Sequence, residues 1–291
     1  MTFKSFAAAA MNKIDAIKPI IQSLCKMKHV FIIFILYAFG VTLASIHYGN
    51  YNDSFLSGFL INANSSILDF FVLGVILYYF EYRRQNKETI NELLEDLGNL
   101  AKHVNVDLKI QKIKIIRQLN NKGVFNIDIP RMELGDLFTI KYLHFKTSEL
   151  SGLNMEKSNI RDCSFTGCTI QALNISKSKM KNVKFIKCKI KNIKAQDSKL
   201  NGVIFEGCYL YGGDFSNAEM KSCVLRECDL DKVEYTNANL RNANIIDAKN
   251  IDVNKLIEAN TLDYIDCDNE IERQILSSRP NTKFTKRYLR G

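Results

Sequence analysis

The stretch KFIKCKIKNIKAQDSKLNGVIFEGCYL, Lys184 to Leu210, has an apolar residue on every fifth position: Phe185, Ile190, Ala195, Leu200, Phe205 and Leu210. Followed outward, the register holds without insertion or deletion from Ile140 to Ile245, 22 positions in all. A helix repeats every 3.6 residues and a strand every two, so neither puts such a set on one face. A repeat solenoid does. A longer period lies over the first. Cys168, Cys188, Cys208 and Cys228 are twenty apart, as are Phe145, Phe165, Phe185 and Phe205, and as are Ser158, Ser178, Ser198, Ala218 and Ala238. Leu153, Leu173, Ile193, Gly213 and Val233 make a further column. Four five-residue units per turn would stack like residues at the cross-strand spacing of about 4.8 Å. The expectation is an all-β solenoid with four sides.

The units NANLRNANII (Asn237–Ile246) and GGDFSNAEM (Gly212–Met220) resemble the pentapeptide-repeat family, whose loose pattern is Ala-Asp/Asn-Leu-x-x. The resemblance implies a right-handed quadrilateral β-helix, and 22 units at four per turn make about five and a half turns. Fold does not fix function. The family's best-known members are acidic rods that look like duplex DNA and bind type II topoisomerases. Here residues 138 to 248 carry 17 Lys or Arg against 12 Asp or Glu, which weighs against a topoisomerase-binding protection protein.

Near the other end, Val30 to Ile46 reads VFIIFILYAFGVTLASI, 17 residues without a charge. At 1.5 Å per residue this is about 26 Å of helix, near the thickness of a bilayer's hydrocarbon. A second run, Ile67 to Phe80, is broken only by Asp69 and extends backward through Phe59, Leu60 and Ile61. No Lys or Arg lies between His47 and Ser54, whereas Lys13, Lys18, Lys26 and Lys28 precede the pair and Arg83, Arg84 and Lys87 follow it. The positive-inside bias then predicts a transmembrane hairpin in a bacterial inner membrane with both termini cytoplasmic. A cleaved signal peptide would need a charged region of nearly thirty residues and would leave the Arg pair on the wrong side. In a reducing cytosol the six cysteines of the repeats read as small core residues.

The expected organisation is a basic amphipathic segment over 1–28, the two-helix hairpin over 29–82, a linker helix and N-terminal cap over 83–130, the β-helix over 131–250, and a helical cap with a basic tail over 251–291. The tail holds Lys283, Lys286, Arg287 and Arg290. Ile90, Leu93, Leu97, Leu100 and Val104 alternate in steps of three and four, barely two heptads, so they read as a linker helix rather than a sustained coiled coil. Val106 to Leu119 is expected to cover the solenoid's open first edge. Val253 to Ala259 and Ile271 to Leu276 read as short capping helices.

Motifs for chemistry are missing. His29, His47, His103 and His144 are scattered, and the chain has no Walker loop, dinucleotide fingerprint or HExxH. Zinc wants a tetrahedron, whereas the cysteine column is a line. The expectation is therefore a non-enzymatic protein without cofactor or metal. Two residue sets stand out instead. Asn62, Ser66 and Asp69 form a polar stripe inside the second span if that span is long. If it is short, Ser66 and Asp69 form a capping box at its start. The second set is a basic belt, Lys179, Lys184, Lys189, Lys194 and Lys199, each just before a repeat centre, with acidic Asp214, Glu219, Asp229 and Glu234 beyond it. Such a belt suits anionic lipid, nucleic acid or an acidic protein. No aromatic stacking partners interleave the lysines, which weighs against nucleic acid. Expected partners are the lipid bilayer, a cytoplasmic protein and another copy of the chain. The leading expectation is a membrane-anchored scaffold. The alternative is a membrane-perturbing effector, a toxin or antiphage defence protein, whose rod senses or assembles.

Overall fold

The computed structural model describes residues 28–47 and 54–284. The expected amphipathic segment before Lys28, the hairpin loop and most of the basic tail lie outside the described residues. The chain divides into two compact units, Met1–Thr89 and Ile90–Gly291. In order along the chain come α1 (Lys28–His47) and α2 (Ser54–Leu100), then α3 (Val106–Asn121).

The second run and the expected linker helix are one continuous 47-residue helix, α2. No break occurs at 82, because nothing between Tyr82 and Glu95 is a Gly or Pro. The helix stops at Leu100, short of the expected Val104, which is 69% exposed. At the stop the chain tightens: the Ala101 N–H donates to the Gly98 carbonyl (3.2 Å) and the His103 N–H to the Leu100 carbonyl (3.0 Å), which satisfies carbonyls that a helix end leaves open. Just beyond it the buried Lys112 ammonium donates to the Ala101 carbonyl (2.9 Å), the His103 carbonyl (2.8 Å) and the Glu133 carbonyl (2.5 Å). Within the second unit, Leu97 is buried and Ile90, Leu93, Leu94 and Leu100 pack partly buried against the same apolar core as the solenoid.

The solenoid is built from three-residue parallel strands. β1 (Ile140–Lys141), β3 (Asn159–Arg161) and β6 (Lys179–Lys181) form the first face. β2 (His144–Lys146), β4 (Ser164–Thr166), β7 (Lys184–Ile186) and β9 (Ile204–Glu206) form the second, and β5 (Thr169–Gln171) with β8 (Lys189–Lys191) the third. The fourth face consists of single bridges, Glu133 to Asn154 to Asn174 to Lys194 to Asp214 to Glu234. Past β9 all faces continue as single bridges. Pairing is at twenty residues, as in Phe145 with Phe165 and Phe185 with Phe205.

Each five-residue unit buries its centre and the residue two before it, while the two strand positions flanking the centre face outward. The unit turns its corner at the second residue after the centre, which takes a positive φ. Asp162 (52°), Ala172 (53°), Lys187 (52°), Asn192 (53°) and Gly212 (66°) are examples. This left-handed conformation is cheap for Gly and tolerable for Asn and Asp, and those three types recur there. Phe145, Phe165, Phe185 and Phe205 stack along the core with ring centroids 5.2, 4.7 and 4.9 Å apart.

Both ends of the ladder are covered. At the first coil the Asn120 side-chain amide donates to the His144 carbonyl (2.8 Å) and its oxygen accepts from the His144 N–H (2.9 Å), imitating a missing strand. Arg117 Nε donates to the Lys141 carbonyl, and Ile113, Ile115, Ile116 and Leu119 of α3 are buried. At the far end pairing runs beyond residue 250, to Asn244 with Asp266, with two extra residues in the coil. That coil contains α4 (Val253–Leu256), and α5 (Asn269–Ser278) follows, burying Ile275. Arg279 closes the edge by donating to the Ala259 carbonyl at 2.7 Å.

Candidate functional site

The solenoid's outward positions are chosen by the fold: only residues flanking a centre, and the corners, reach solvent. Lys179, Lys184, Lys189, Lys194 and Lys199 all occupy the position before a centre and are exposed. Among the described residues none of the five forms an ion pair. They do not converge. Lys179 and Lys199 are bridge partners on the first face, whereas Lys184 lies on the second, Lys189 on the third and Lys194 on the fourth. A flat partner can therefore meet two of them on one face, and the belt is not one site.

Stacking also brings aromatic rings to the lysines, which one-dimensional order conceals. Tyr209 is the bridge partner of Lys189, and the Lys191 ammonium lies 5.9 Å from the Tyr209 ring centroid. The Tyr211 ring is 6.0 Å from that of Tyr209 and nearly parallel to it; Lys232 Nζ donates to its hydroxyl at 2.7 Å. The signal was available: Tyr209 and Tyr211 stand twenty residues after Lys189 and Lys191. Lys187, Lys189, Lys191, Gly207 and Tyr209 line a shallow cleft of about 430 Å³ there.

The acidic positions are structural. Burial opposes ionisation of Asp214, yet hydrogen bonds from Ser216 and Gln196 outweigh it and hold the carboxyl below the usual carboxylate range. A carboxylate so held is a poor proton shuttle at neutral pH. The seven cysteines among the described residues are free and buried. Burial pushes the Cys163 thiol up to about 11 and that of Cys223 to about 12, which removes the thiolate that reactivity needs.

In the first unit, Asn62, Ser66 and Asp69 all lie within α2, exposed and spaced by four and three. The capping-box alternative is overturned. Ser66 is in mid-helix, and its hydroxyl donates back to the Asn62 carbonyl at 2.8 Å rather than accepting from a helix start. Among the described residues one helix is long and apolar enough to cross a membrane, over Leu60–Leu100. The apolar stretch of α1, Ile35–Ala44, is shorter. Leu68, Phe70, Leu73, Leu77 and Phe80 of α2 and Ile35, Leu36, Phe39 and Leu43 of α1 are exposed.

Comparison with known proteins locates the repeats. The profile described as pentapeptide repeat region matches residues 138–215, and that described as pentapeptide repeats (8 copies) matches residues 218–249. No curated protein matches the chain. Among solved structures, the pentapeptide repeat protein Rfr23 from the cyanobacterium Cyanothece 51142 is 16% identical, with 38% of this chain and 62% of that one covered and a TM-score of 0.25. The match thus spans less than two thirds of that protein. A trypsin-treated variant of QnrB1, a plasmid-mediated fluoroquinolone resistance protein, is 14% identical over 55% of this chain and 92% of its own, with a TM-score of 0.26. HetL from Nostoc sp. strain PCC 7120, involved in heterocyst differentiation regulation, is 14% identical over 50% and 70%, with a TM-score of 0.25. No enzyme family is indicated, and residues 138–249 of the solenoid are a pentapeptide-repeat region.

Proposed function

We propose that this protein is a non-enzymatic binding scaffold anchored in a bacterial inner membrane, with both termini and the repeat solenoid in the cytoplasm and a partner protein docking on the solenoid's side faces. The observation that carries the reading is the apolar surface of α2. From Leu68 to Phe80 its large apolar side chains, Tyr78 apart, are exposed rather than packed, and a contiguous apolar surface of that kind needs a cover other than water. A bilayer is the cover that fits its length. The 20 residues of α1 would reach about 30 Å at 1.5 Å per residue, which supports a second span antiparallel to the first. The solenoid's outward positions supply rows of side chains on four flat sides and no assembled acid, base or nucleophile.

One observation favours a second reading. Asn62, Ser66 and Asp69 share one side of the apolar helix, and intramembrane polar residues serve ion paths or helix contacts. In that reading the helices of several copies assemble into a permeabilising effector. Alkaline carbonate extraction tests the anchor, since an integral protein stays in the pellet. A reporter after Gly291 and a labelled cysteine in place of Asn52 test the topology. Release into the supernatant, or labelling of position 52 only after lysis, refutes the hairpin.

A further inference from the structure

Stacking by twenty sorts the basic residues by face, and one face takes more of them than any other. Lys141, Arg161 and Lys181 are consecutive in register on the first face. The position after the centre continues in the same column as Asn201, Lys221 and Arg241, and the position before it adds Lys179 and Lys199. Seven cations thus run the length of one flat side. The acids among them are few: Glu219 is 3.4 Å from Lys221, Asp162 accepts from Asn182 at the corner (2.7 Å), and Asp263 sits on the last coil. The fourth face is opposite in character, with Glu133, Glu156, Asp214, Glu234 and Glu258.

At the start of the first face the regular register is broken once. Glu133 pairs with Asn154, twenty-one residues on, whereas Ile140 pairs with Ile160, twenty on. One extra residue therefore bulges between them. Leu137 takes the inward place, with its N–H on the Ser158 hydroxyl (3.0 Å), and Phe138 is turned out to 89% exposure. A bulge re-aims a side chain. Beside it Tyr142 is 55% exposed, with the Arg117 guanidinium 5.9 Å from its ring centroid. Two aromatic rings thus project from the end of a flat basic face.

We propose that the first face docks on the anionic headgroups of the membrane, with Lys141, Arg161, Lys181, Lys221 and Arg241 against the lipid phosphates and Phe138 and Tyr142 entering the headgroup layer. The inference rests on the membrane-anchored reading above. Anchoring would keep the solenoid near the cytoplasmic leaflet, whose negative potential attracts basic segments but fades within a Debye length. Cations on a plane with aromatics at its margin match a surface, where aromatic rings favour the interface. A nucleic-acid strand would instead stack on rings placed between the cations.

The test uses the full chain in nanodiscs with Cys25→Ser and a spin label at either Asn201→Cys on the first face or Gln171→Cys on the third. Discs are made of phosphatidylcholine alone or with about three parts in ten phosphatidylglycerol, and access of a water-soluble relaxation agent is measured. The label at 201 should lose access about threefold in anionic discs only, regain it at about 0.5 M salt, and never lose it in Lys141→Gln/Arg161→Gln/Lys181→Gln. The label at 171 should be unchanged. Phe138→Ala should weaken the protection while leaving circular dichroism intact. Equal access at 201 in both lipids overturns the proposal, as does protection at 201 by a single-stranded oligonucleotide in neutral discs and not by anionic lipid. Carbonate extraction separates the two readings. A chain that is released refutes the anchor, and its flotation with the same anionic vesicles then reads the face on its own.

Discussion

Replacing Phe185 with alanine measures how far the stacked core governs stability. The ring is fully buried, with Phe165 at 4.7 Å on one side and Phe205 at 4.9 Å on the other, the planes within 7° of each other. Truncating a buried Phe costs about 3–5 kcal/mol, and each ring pair contributes about 0.5–1.5 kcal/mol beyond its buried area. With two such pairs lost and two rigid ladder neighbours unable to collapse inward, Phe185→Ala belongs at the upper end, about 5 kcal/mol. Phe145 is the last ring of the stack and has one ring neighbour, at 5.2 Å. Phe145→Ala should cost less by about one pair, about 1 kcal/mol. Lys189→Ala, on the solvent side of the same coil, should stay within about 0.5 kcal/mol. Urea unfolding of the detergent-solubilised chain, followed by circular dichroism, reads all three. Equal midpoint shifts for Phe185→Ala and Lys189→Ala, or a larger shift for Phe145→Ala than for Phe185→Ala, would refute the assigned register.

Burial pushes the Lys112 ammonium down to about 8, below the roughly 10.4 of an unfolded lysine. Between these values the unfolded chain holds the proton more tightly, so this group's contribution to stability rises with pH over that window. The stability difference between wild type and Lys112→Met, measured from about pH 7 to 10.5, should grow with pH; a flat difference sinks the assignment. Ala172 turns a corner at φ 53°, and Ala172→Gly should stabilise the chain by about 1 kcal/mol as left-handed strain is relieved, whereas an unchanged or lower melting temperature argues against corner strain. Asp69→Leu should abolish ion flux through liposomes while leaving the solenoid's circular dichroism intact. Flux that is equal in both proteins, or absent from both, removes the effector reading from this residue.

The solenoid was legible because its rule is local and repeated: every fifth side chain points inward, and every twentieth stacks. Phe185 above Phe165 follows from counting. What counting missed lies where the rule is broken or where distance along the chain misleads. Val104 continues a helical seam in sequence, but the chain turns out of the helix after Leu100, with the Ala101 N–H on the Gly98 carbonyl and the His103 N–H on the Leu100 carbonyl. Ser66 and Asp69 have capping-box spacing, yet the helix begins at Ser54 and passes straight through, and the Ser66 hydroxyl bonds back to the Asn62 carbonyl. The belt was read as lysine on every side of one turn, and the five-residue step does distribute it so, with Lys179 and Lys199 together on the first face and one lysine on each of the other three. Tyr209 and Tyr211 were overlooked, being about a full coil along the chain from the lysines they touch, Lys191 and Lys232. The turned-out Phe138 follows from a bulge that only the pairing register reveals.

The twenty-residue coil also determines which insertions and deletions this chain can absorb. Removing five residues from the middle of the solenoid would leave the core pattern intact, since inward positions recur every five. It would nevertheless rotate everything downstream by a quarter turn, carrying Lys221 and Arg241 off the face that holds Lys141 and Arg161. Only whole coils can be gained or lost without scrambling the sides. Length in such a protein is therefore free to drift in steps of twenty, while a five-residue change would preserve folding and erase surface identity, a kind of damage that stability measurements alone would not detect.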